Sequence, residues 1–313
     1  MSSIRLDGHA TIVTGAGRGL GRSYALEFAR RGALVVVNDV GKDEDGGLLA
    51  ESVVAEIDAL GGRAVSDTSD ISTSSGANRL IDSAIEAFGR VDAVVNNAGF
   101  LRTGLMEELT DDDMEQVVAV HLLAAMYTSR AAWPHMQAQQ FGRVIFTSSG
   151  STFGHLGNGN YGAAKGGLIA LARTLALEGA DHNIRVNSVL PYAVSQIASG
   201  TAHVGEDPIG VRALLNSLSP RRAPATVAPL VAYLASRECR VTGEAFSALA
   251  GRYARVIYGL TAGWIAEDAN ATTAEDIAEH LDQILDLSDF IVPSAIRDEI
   301  ADVADRLRAR GLS

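Results

Sequence analysis

The chain has 313 residues, enough for one large α/β domain or for a domain with an appendage. Its 26 basic and 38 acidic residues leave a net charge of −12, which argues against nucleic acid or an anionic membrane as the main partner. The single cysteine, Cys239, excludes an internal disulfide, and no apolar run reaches the roughly 18 residues of a membrane span. With no room for a signal peptide before the first strand, we expect a cytoplasmic protein with a small-molecule ligand and no metal.

The first 250 residues alternate short β-branched runs with longer helical patterns, which predicts an α/β fold with a doubly wound parallel sheet. The strands are nearly continuously apolar, as suits burial on both faces. They are predicted at Ala10–Thr14, Ala33–Asn38, Arg63–Val65, Ala93–Val95, Arg143–Thr147, Ile184–Val189 and Ala245–Ala248. Helices are predicted at about Gly19–Arg31, Leu48–Leu60, Gly76–Phe88, Asp112–Gln139, Tyr161–Gly179 and Val227–Ser236.

The last third of the chain is less regular. The mixed polarity of Ser195–Pro224 predicts a lid or binding segment. From residue 251 to 313 an acidic amphipathic stretch and a charged helix predict a C-terminal helical extension rather than a second full domain. The two longest helices, around Leu122 and Leu171, are richer in alanine and leucine than one core-facing stripe requires, which indicates a homodimer or homotetramer.

A glycine-rich turn with Gly15, Gly17, Gly19 and Gly21 follows the first strand and opens the first helix, with Arg18 and Leu20 between the glycines. Such a turn lets the backbone approach a pyrophosphate closely, and the helix N-terminus adds amide donors and a positive dipole. The turn, with the Rossmann-type order around it, predicts a dinucleotide site.

Asp39, at the end of the second strand, is placed to accept hydrogen bonds from an adenosine ribose diol. Its charge would repel a 2′-phosphate and so favours NAD over NADP. Arg18 favours the opposite choice, because a cation in the turn can pair with that phosphate. We give Asp39 more weight because its position is closer to the ribose.

Two more segments follow strands at the edge where open α/β sheets bind ligands. Asp70-Ile71, after the third strand, is placed to reach the adenine amine, although Asp70 serves equally well as a helix cap. Asn97, Ala98 and Gly99 follow the fourth strand and leave space beside a dinucleotide, with Asn96 placed to brace the neighbouring loops.

Tyr161 and Lys165 are four residues apart on a predicted helix, so their side chains stand on one face roughly 5.4 Å apart. A neighbouring ammonium favours the phenolate, so we expect Lys165 to lower the pKa of Tyr161 below its usual ~10. Only Lys42 and Lys165 among the 26 basic residues are lysines, which indicates a specific need for lysine here. The spacing alone also describes an ordinary helix face.

The glycine turn, Asn96–Gly99, Ser149 and Tyr161-x-x-x-Lys165, in this order, resemble the short-chain dehydrogenase/reductase family over residues 7–250. The resemblance implies that Tyr161 is the general acid/base and that Ser149 polarises the substrate carbonyl. It also implies that Lys165 orients the nicotinamide ribose and that Pro191 belongs to the cofactor site. Hydride would pass between the nicotinamide and the carbinol carbon, which is chemistry supplied by the cofactor.

Several stretches are similar to the NAD-dependent (3R)-hydroxyacyl-CoA dehydrogenase branch of this family. They are Val37–Val40, Arg130–Met136, Gly142–Ser149, Val227–Leu234 and Ala262–Ile265. The analogy implies a 3-hydroxyacyl-CoA or a steroid alcohol as substrate, and arginines 221, 222, 252 and 255 are candidates to contact CoA phosphates. Alternatives are an NADP-linked reductase of xenobiotic carbonyls and a non-catalytic dinucleotide sensor.

Three positions depart from the family pattern. His121 replaces the usual asparagine of a proton-relay water, and it either bridges such a water or is a core histidine. Ser149 precedes Tyr161 by twelve residues where thirteen is usual, so Ser148 competes for its role; a shortened loop after the strand favours Ser149. Tyr192 replaces the usual glycine after Pro191 and either shapes the nicotinamide pocket or packs.

Overall fold

The computed structural model describes residues 3–193 and 210–312. Within these residues eight strands form one sheet in the order β3-β2-β1-β4-β5-β6-β7-β8, and β1 to β7 run parallel. The strands are β1 (Ala10–Thr14), β2 (Leu34–Asn38), β3 (Arg63–Asp67), β4 (Ala93–Asn96), β5 (Gly142–Thr147), β6 (Ile184–Pro191), β7 (Ala245–Leu249) and β8 (Arg252–Val256). The predicted doubly wound sheet is confirmed.

The eighth strand was not predicted. It follows β7 after two residues, Ala250 and Gly251, whose φ angles of 54° and 87° are both positive. Two such residues form the hairpin turn that matches the twist of the flanking strands, so β8 returns antiparallel to β7. β8 therefore extends the main sheet, although its residues fall in the segment assigned to the extension.

Most of the predicted helices form within a few residues of their expected bounds. They are α1 (Gly19–Arg30), α2 (Leu49–Ala59), α3 (Ser74–Phe88), α4 (Asp111–Val118), α5 (Ala124–Gln139), α6 (Gly159–Glu178) and α8 (Ala228–Ala235), whereas α7 (Val211–Ser217) was not predicted. The predicted helix 112–139 is interrupted, because a π turn at Ala119–Leu123 separates α4 from α5. Single π turns inside helices are frequently found at functional sites.

Each face of the sheet carries its own apolar core. Val13 and Val37 pack on the side of α1, α2 and α8, whereas Ile12 and Val36 pack on the side of α3, α5 and α6. Successive strand residues point to opposite faces, so a strand covered on both sides must be apolar throughout. This explains why the apolar runs in the sequence marked the strands correctly.

The fold bears on the predicted oligomer face and on the predicted lid. Leu122 and Leu171, on the predicted oligomer face, are partly buried and pack against the core of their own chain. In the predicted lid, residues 195–209 lie outside the described part of the chain, while residues 211–217 form α7 rather than an irregular loop.

Contacts between Cα atoms divide the chain into Met1–Arg255 and Val256–Ser313. The second unit contains a short antiparallel pair, β9 (Leu260–Thr261) with β10 (Phe290–Ile291), and three helices. These are α9 (Ala274–Glu279), α10 (Leu281–Ile284) and α11 (Ile296–Arg310). None of the described helices is long and apolar enough to cross a membrane.

Candidate active site

The strand order reverses between β1 and β4, so the loops that follow these two strands lie side by side. At such a switch point the carboxyl ends of the strands open a crevice for ligands. Gly15 has a φ of +61°, and a Cβ at this position would lie 2.6 Å from the Cα of Ala98. The two loops therefore approach so closely that Gly15 must be glycine.

The rest of the glycine turn is equally crowded. A Cβ at Gly17 would lie 2.5 Å from the Cβ of Leu49, and one at Gly21 would lie 2.2 Å from the carbonyl oxygen of Gly15. Gly19 has a φ of +56° and begins α1. The N-cap, Arg18, makes no side-chain capping bond, so the first amides of α1 are left for a ligand.

The Asp39 carboxylate is held beside this turn. Its Oδ2 accepts a hydrogen bond from the Gly17 amide at 2.8 Å, and its Oδ1 accepts one from the Gly41 amide at 2.7 Å. A carboxylate has about four acceptor sites, so both oxygens can still accept from a ribose diol. The structure thus fixes a negative charge next to the turn, while Arg18 is exposed.

Asp70 is exposed and its Oδ1 accepts hydrogen bonds from the amide and hydroxyl of Ser72. The cap of α3 is instead Thr73, whose hydroxyl accepts from the Gly76 amide at 3.0 Å. The alternative that Asp70 caps the helix is therefore wrong, because Thr73 is the N-cap of α3. The Ile71 side chain is buried in the core, so this residue can offer a ligand only its backbone.

Asn97, rather than Asn96, braces the glycine turn. The Asn97 side-chain amide donates to the carbonyl oxygens of Thr14 and Gly15 at 3.0 and 3.2 Å. Asn96 accepts a hydrogen bond from the Thr128 hydroxyl on α5, so it ties the sheet to a helix. Asn97 therefore makes the contacts that were expected of Asn96, because successive residues at the end of a strand point to opposite faces of the sheet.

The two serines after β5 have different surroundings. The Ser148 hydroxyl is buried and donates to the Lys165 carbonyl oxygen at 2.8 Å. The Ser149 hydroxyl donates to the Ser151 hydroxyl at 3.2 Å and accepts from the Ser151 amide at 3.1 Å, and it lowers the pKa of the nearby Tyr161 phenol. The structure therefore places Ser149, not Ser148, against the tyrosine.

Tyr161 does not have the lowered pKa that the sequence predicted. Burial raises the pKa of its phenol, and the neighbouring Ser149 hydroxyl lowers it by less. The Lys165 ammonium lies 5.5 Å from the centre of the Tyr161 ring and donates to the Thr147 carbonyl at 2.5 Å, so it is directed at the backbone. Desolvation therefore sets the direction of the Tyr161 pKa, and Lys165 is not among the groups that lower it.

Lys165 is itself perturbed. Only 3% of its surface is exposed, and burial lowers the pKa of its ammonium from 10.5 to about 7. Near neutral pH the charge is therefore easily lost. Arginine stays protonated and could not lose its charge near neutral pH. This agrees with the presence of lysine rather than arginine at this position.

The buried lysine predicts a pH-dependent stability. Between pH 7 and pH 10 the unfolded chain holds a proton on Lys165 that the folded chain has lost, so folding becomes more favourable as pH rises. We expect the free energy of unfolding of the wild type to increase relative to Lys165→Met over this window, by at most about 1.4 kcal/mol per pH unit. Urea unfolding of both proteins at several pH values measures this difference; parallel curves would show that Lys165 is not perturbed.

His121 lies in the π turn and is buried. Its Nε2 lies 2.7 Å from the Phe100 carbonyl oxygen and 3.2 Å from the Phe100 amide nitrogen, so it can donate to the first or accept from the second. We assign the proton to Nε2 because the contact with the carbonyl oxygen is the shorter one. Its ring packs edge-on against Tyr161, with 5.0 Å between ring centres. Burial and the nearby Lys165 charge hold the pKa of His121 well below its usual value, so the ring is neutral.

Two contacts in the site were not predicted from the sequence. The Thr147 carbonyl accepts from Lys165, and any residue supplies such a carbonyl. The Thr14 hydroxyl accepts from the amides of Asn97 and Ala98 at 2.9 and 3.0 Å, which joins the two ligand loops. A threonine immediately before the glycine turn was the available signal for the second contact.

The predicted residues thus meet at the carboxyl edge of the sheet, where Pro191 ends β6 beside β7. The crowded glycines, the uncapped start of α1 and the held Asp39 fit a dinucleotide, since each leaves backbone amides or a carboxylate for the ligand. Within residues 3–193 and 210–312, no three histidine, cysteine or acidic side chains gather as a metal site.

The chain belongs to the short-chain dehydrogenases: the model of the family described as short chain dehydrogenase matches residues 9–204. Members of this family use nicotinamide dinucleotides, and the protein is an oxidoreductase. A crystal structure of a short-chain dehydrogenase from Mycobacterium avium has 35% sequence identity and a TM-score of 0.77, covering 90% of this chain and 97% of that one.

Within the family the chain is similar to peroxisomal multifunctional enzyme type 2. Over the whole length of this chain it is 38% identical to the mouse protein, but the chain spans only 42% of the length of that protein. Full-length multifunctional enzyme type 2 of Drosophila melanogaster has a TM-score of 0.78, with 98% of this chain and 50% of that chain covered. A putative short-chain type dehydrogenase/reductase of Mycobacterium tuberculosis is 40% identical, covering 88% of this chain and 94% of that protein.

Proposed function

We propose that the protein is an NAD-dependent dehydrogenase of secondary alcohols whose substrate is a 3-hydroxyacyl-CoA or a steroid-like alcohol. The observation that carries the proposal is the group formed by Tyr161, the neighbouring Ser149 hydroxyl that lowers its pKa, and the buried Lys165, at the edge of the sheet beside the glycine turn. The similarity to multifunctional enzymes whose yeast relative is named a hydratase-dehydrogenase-epimerase supports the substrate class.

NAD bound at the glycine turn and Asp39 would supply the hydride acceptor for the carbinol carbon. The Ser149 hydroxyl orients the substrate oxygen, and Tyr161 takes the hydroxyl proton during oxidation or returns it during reduction. Because burial raises the pKa of Tyr161, the phenol is protonated at neutral pH and is ready to donate in the reductive direction. The open Nδ1 of His121, which has no hydrogen-bond partner among the described residues, suits it to hold a relay water.

The preference for NAD rests on Asp39. Its carboxylate is fixed by two backbone amides, so it cannot easily turn away from a phosphate on the adenosine ribose. Two negative unit charges about 4 Å apart, at an effective dielectric constant of about 20, repel each other by about 4 kcal/mol. Arg18 is exposed, so water and salt screen its charge and its attraction for such a phosphate is smaller.

Replacing Asp39 tests this preference. In Asp39→Ser we expect the ratio of kcat/KM with NADPH to that with NADH to rise at least about tenfold, because the repulsion is lost and the space is larger. The serine hydroxyl can still accept from the Gly41 amide. Asp58→Asn, an exposed carboxylate on α2, is the control and should leave the ratio unchanged. An unchanged ratio in Asp39→Ser would reject the role of this residue.

The surroundings of the site favour a lipophilic substrate. The segment after β4 is joined to the segment after Ser149 by a hydrogen bond from the Gly104 amide to the Gly157 carbonyl, at 3.0 Å. These segments expose Met106, Phe153 and Leu156 by 65%, 65% and 55%. Large apolar side chains grouped in solvent mark a ligand-binding surface, so we propose that an acyl chain covers them.

Acyl-chain length tests the function and this surface together. For the wild type with NAD, we expect kcat/KM on 3-hydroxyacyl thioesters to rise about fourfold for each buried methylene, which corresponds to about 0.8 kcal/mol. Phe153→Ser should flatten this dependence. Leu60→Ser, which removes a leucine that is 54% exposed at the end of α2, should not. A wild type that binds NADH but oxidises no alcohol or thioester would favour a dinucleotide sensor.

Two of the four arginines proposed for CoA phosphates have other partners. Arg222 is buried and donates to the Tyr192 and Leu215 carbonyls, and Arg255 pairs with Glu244 at 2.6 Å. We therefore keep the exposed Arg221 and Arg252 as candidates. The homo-oligomer and the cytoplasmic location stay predictions, and the multifunctional relatives are named peroxisomal.

A further inference from the structure

Tyr192 stands where the family pattern has a glycine, and the mechanism above does not use it. Its backbone is held on both sides: the amide donates to the Ala248 carbonyl at 3.0 Å, and the carbonyl accepts from Arg222 at 2.7 Å. The residue follows Pro191 at the carboxyl end of β6, at the edge of the sheet that binds ligands. A held backbone at this edge gives the side chain a defined position.

The phenol of Tyr192 points towards the catalytic serine. A Cβ built on Gly150 would lie 1.8 Å from the Tyr192 hydroxyl oxygen and 2.1 Å from the ring carbon that bears it. The tip of the side chain therefore rests on Gly150, the residue after Ser149. A tyrosine placed hydroxyl-first against a residue without a side chain brings a hydrogen-bonding group, not only an apolar ring, to the catalytic centre.

The Tyr192 hydroxyl remains protonated at neutral pH. Burial raises the pKa of this phenol, and the charge of Arg252 lowers it by less. It can therefore donate a hydrogen bond to an acceptor on the substrate. In a 3-hydroxyacyl thioester the carbon that carries the reacting hydroxyl is two bonds from the thioester carbonyl carbon. The thioester carbonyl oxygen therefore lies close to the reacting hydroxyl that Ser149 and Tyr161 would hold.

We propose that Tyr192 binds the thioester carbonyl of the substrate and so selects 3-hydroxyacyl and 3-oxoacyl compounds over simple secondary alcohols and ketones. The proposal rests on the dehydrogenase function proposed above. It assigns to Tyr192 a contact with the part of the substrate that does not react. A site built around such a contact favours substrates that supply the matching acceptor.

The test compares two ketones reduced with NADH. One is S-acetoacetyl-N-acetylcysteamine, which has the second carbonyl but no CoA phosphates, and the other is methyl propyl ketone, which lacks that carbonyl. In Tyr192→Phe we expect kcat/KM to fall about threefold to tenfold on the thioester, the range of one net hydrogen bond, and less than about twofold on the simple ketone. NADH affinity, measured by fluorescence, should not change.

Tyr127→Phe is the matched control, because it removes the hydroxyl of a tyrosine on α5 that packs against Arg130; both ketones should react as with the wild type. Gly150→Ala should reproduce the selective loss by displacing the phenol. Equal losses on both ketones in Tyr192→Phe, or weaker NADH binding, would overturn the proposal. If the wild type reduces only the simple ketone, the proposal fails and the oxidoreductase function stands; if it reduces neither, both fail.

Discussion

Tyr161→Phe is expected to lower kcat about a hundredfold to ten-thousandfold, the usual contribution of general acid-base catalysis, while NADH binding is retained. The variant loses only the phenol hydroxyl, whose pKa the neighbouring Ser149 lowers. Its ring can keep the edge-on contact with His121 and the position 5.5 Å from the Lys165 ammonium, so the fold should persist. Steady-state kinetics and NADH fluorescence on the same preparation measure both quantities. Unchanged turnover would reject Tyr161 as the proton-transfer residue.

The neighbouring serines provide an internal control for this result. Ser149→Ala removes the hydroxyl that lowers the pKa of Tyr161 and should also reduce kcat. Ser148→Ala removes a buried bond to the Lys165 carbonyl and should chiefly reduce stability, by about 0.5–1.5 kcal/mol. If Ser148→Ala had the larger effect on kcat, the assignment of the catalytic serine would have to be reversed.

Lys165→Arg is expected to lower kcat about a hundredfold although it keeps a positive charge. The side chain is 3% exposed and its ammonium reaches the Thr147 carbonyl at 2.5 Å, so a wider guanidinium must displace its neighbours. Overpacking of this kind costs about 1–3 kcal/mol of stability, and a displacement of about 1 Å at a catalytic centre can cost two orders of magnitude in rate. Kinetics and thermal unfolding measure the two effects.

Lys42→Arg is the control that the composition offers, because Lys42 is the other lysine of the chain. The same substitution there should change neither kcat nor stability appreciably. Full activity in Lys165→Arg would mean that a fixed charge suffices at this position. The lowered pKa of the Lys165 ammonium would then have no catalytic role.

The fold was largely predictable because its signals are local. Strands covered on both faces must be apolar at every position, and the runs around Ile12 and Val36 met that condition. β8 was missed because Arg252–Val256 mixes charged and apolar residues at the edge of the sheet. The π turn before α5 was missed because no local pattern distinguishes it from the helix on either side.

The sequence by itself determined the dinucleotide turn, the acid at Asp39 and the pairing of Tyr161 with Lys165, because a turn and a helix spacing are set by neighbouring residues. Only the tertiary structure decided which serine meets the tyrosine and which asparagine braces the turn. It also reversed the expected direction of the Tyr161 pKa. The physical reason is that burial and hydrogen-bond partners depend on segments far apart in the chain, and at this site desolvation is the largest influence on the Tyr161 pKa.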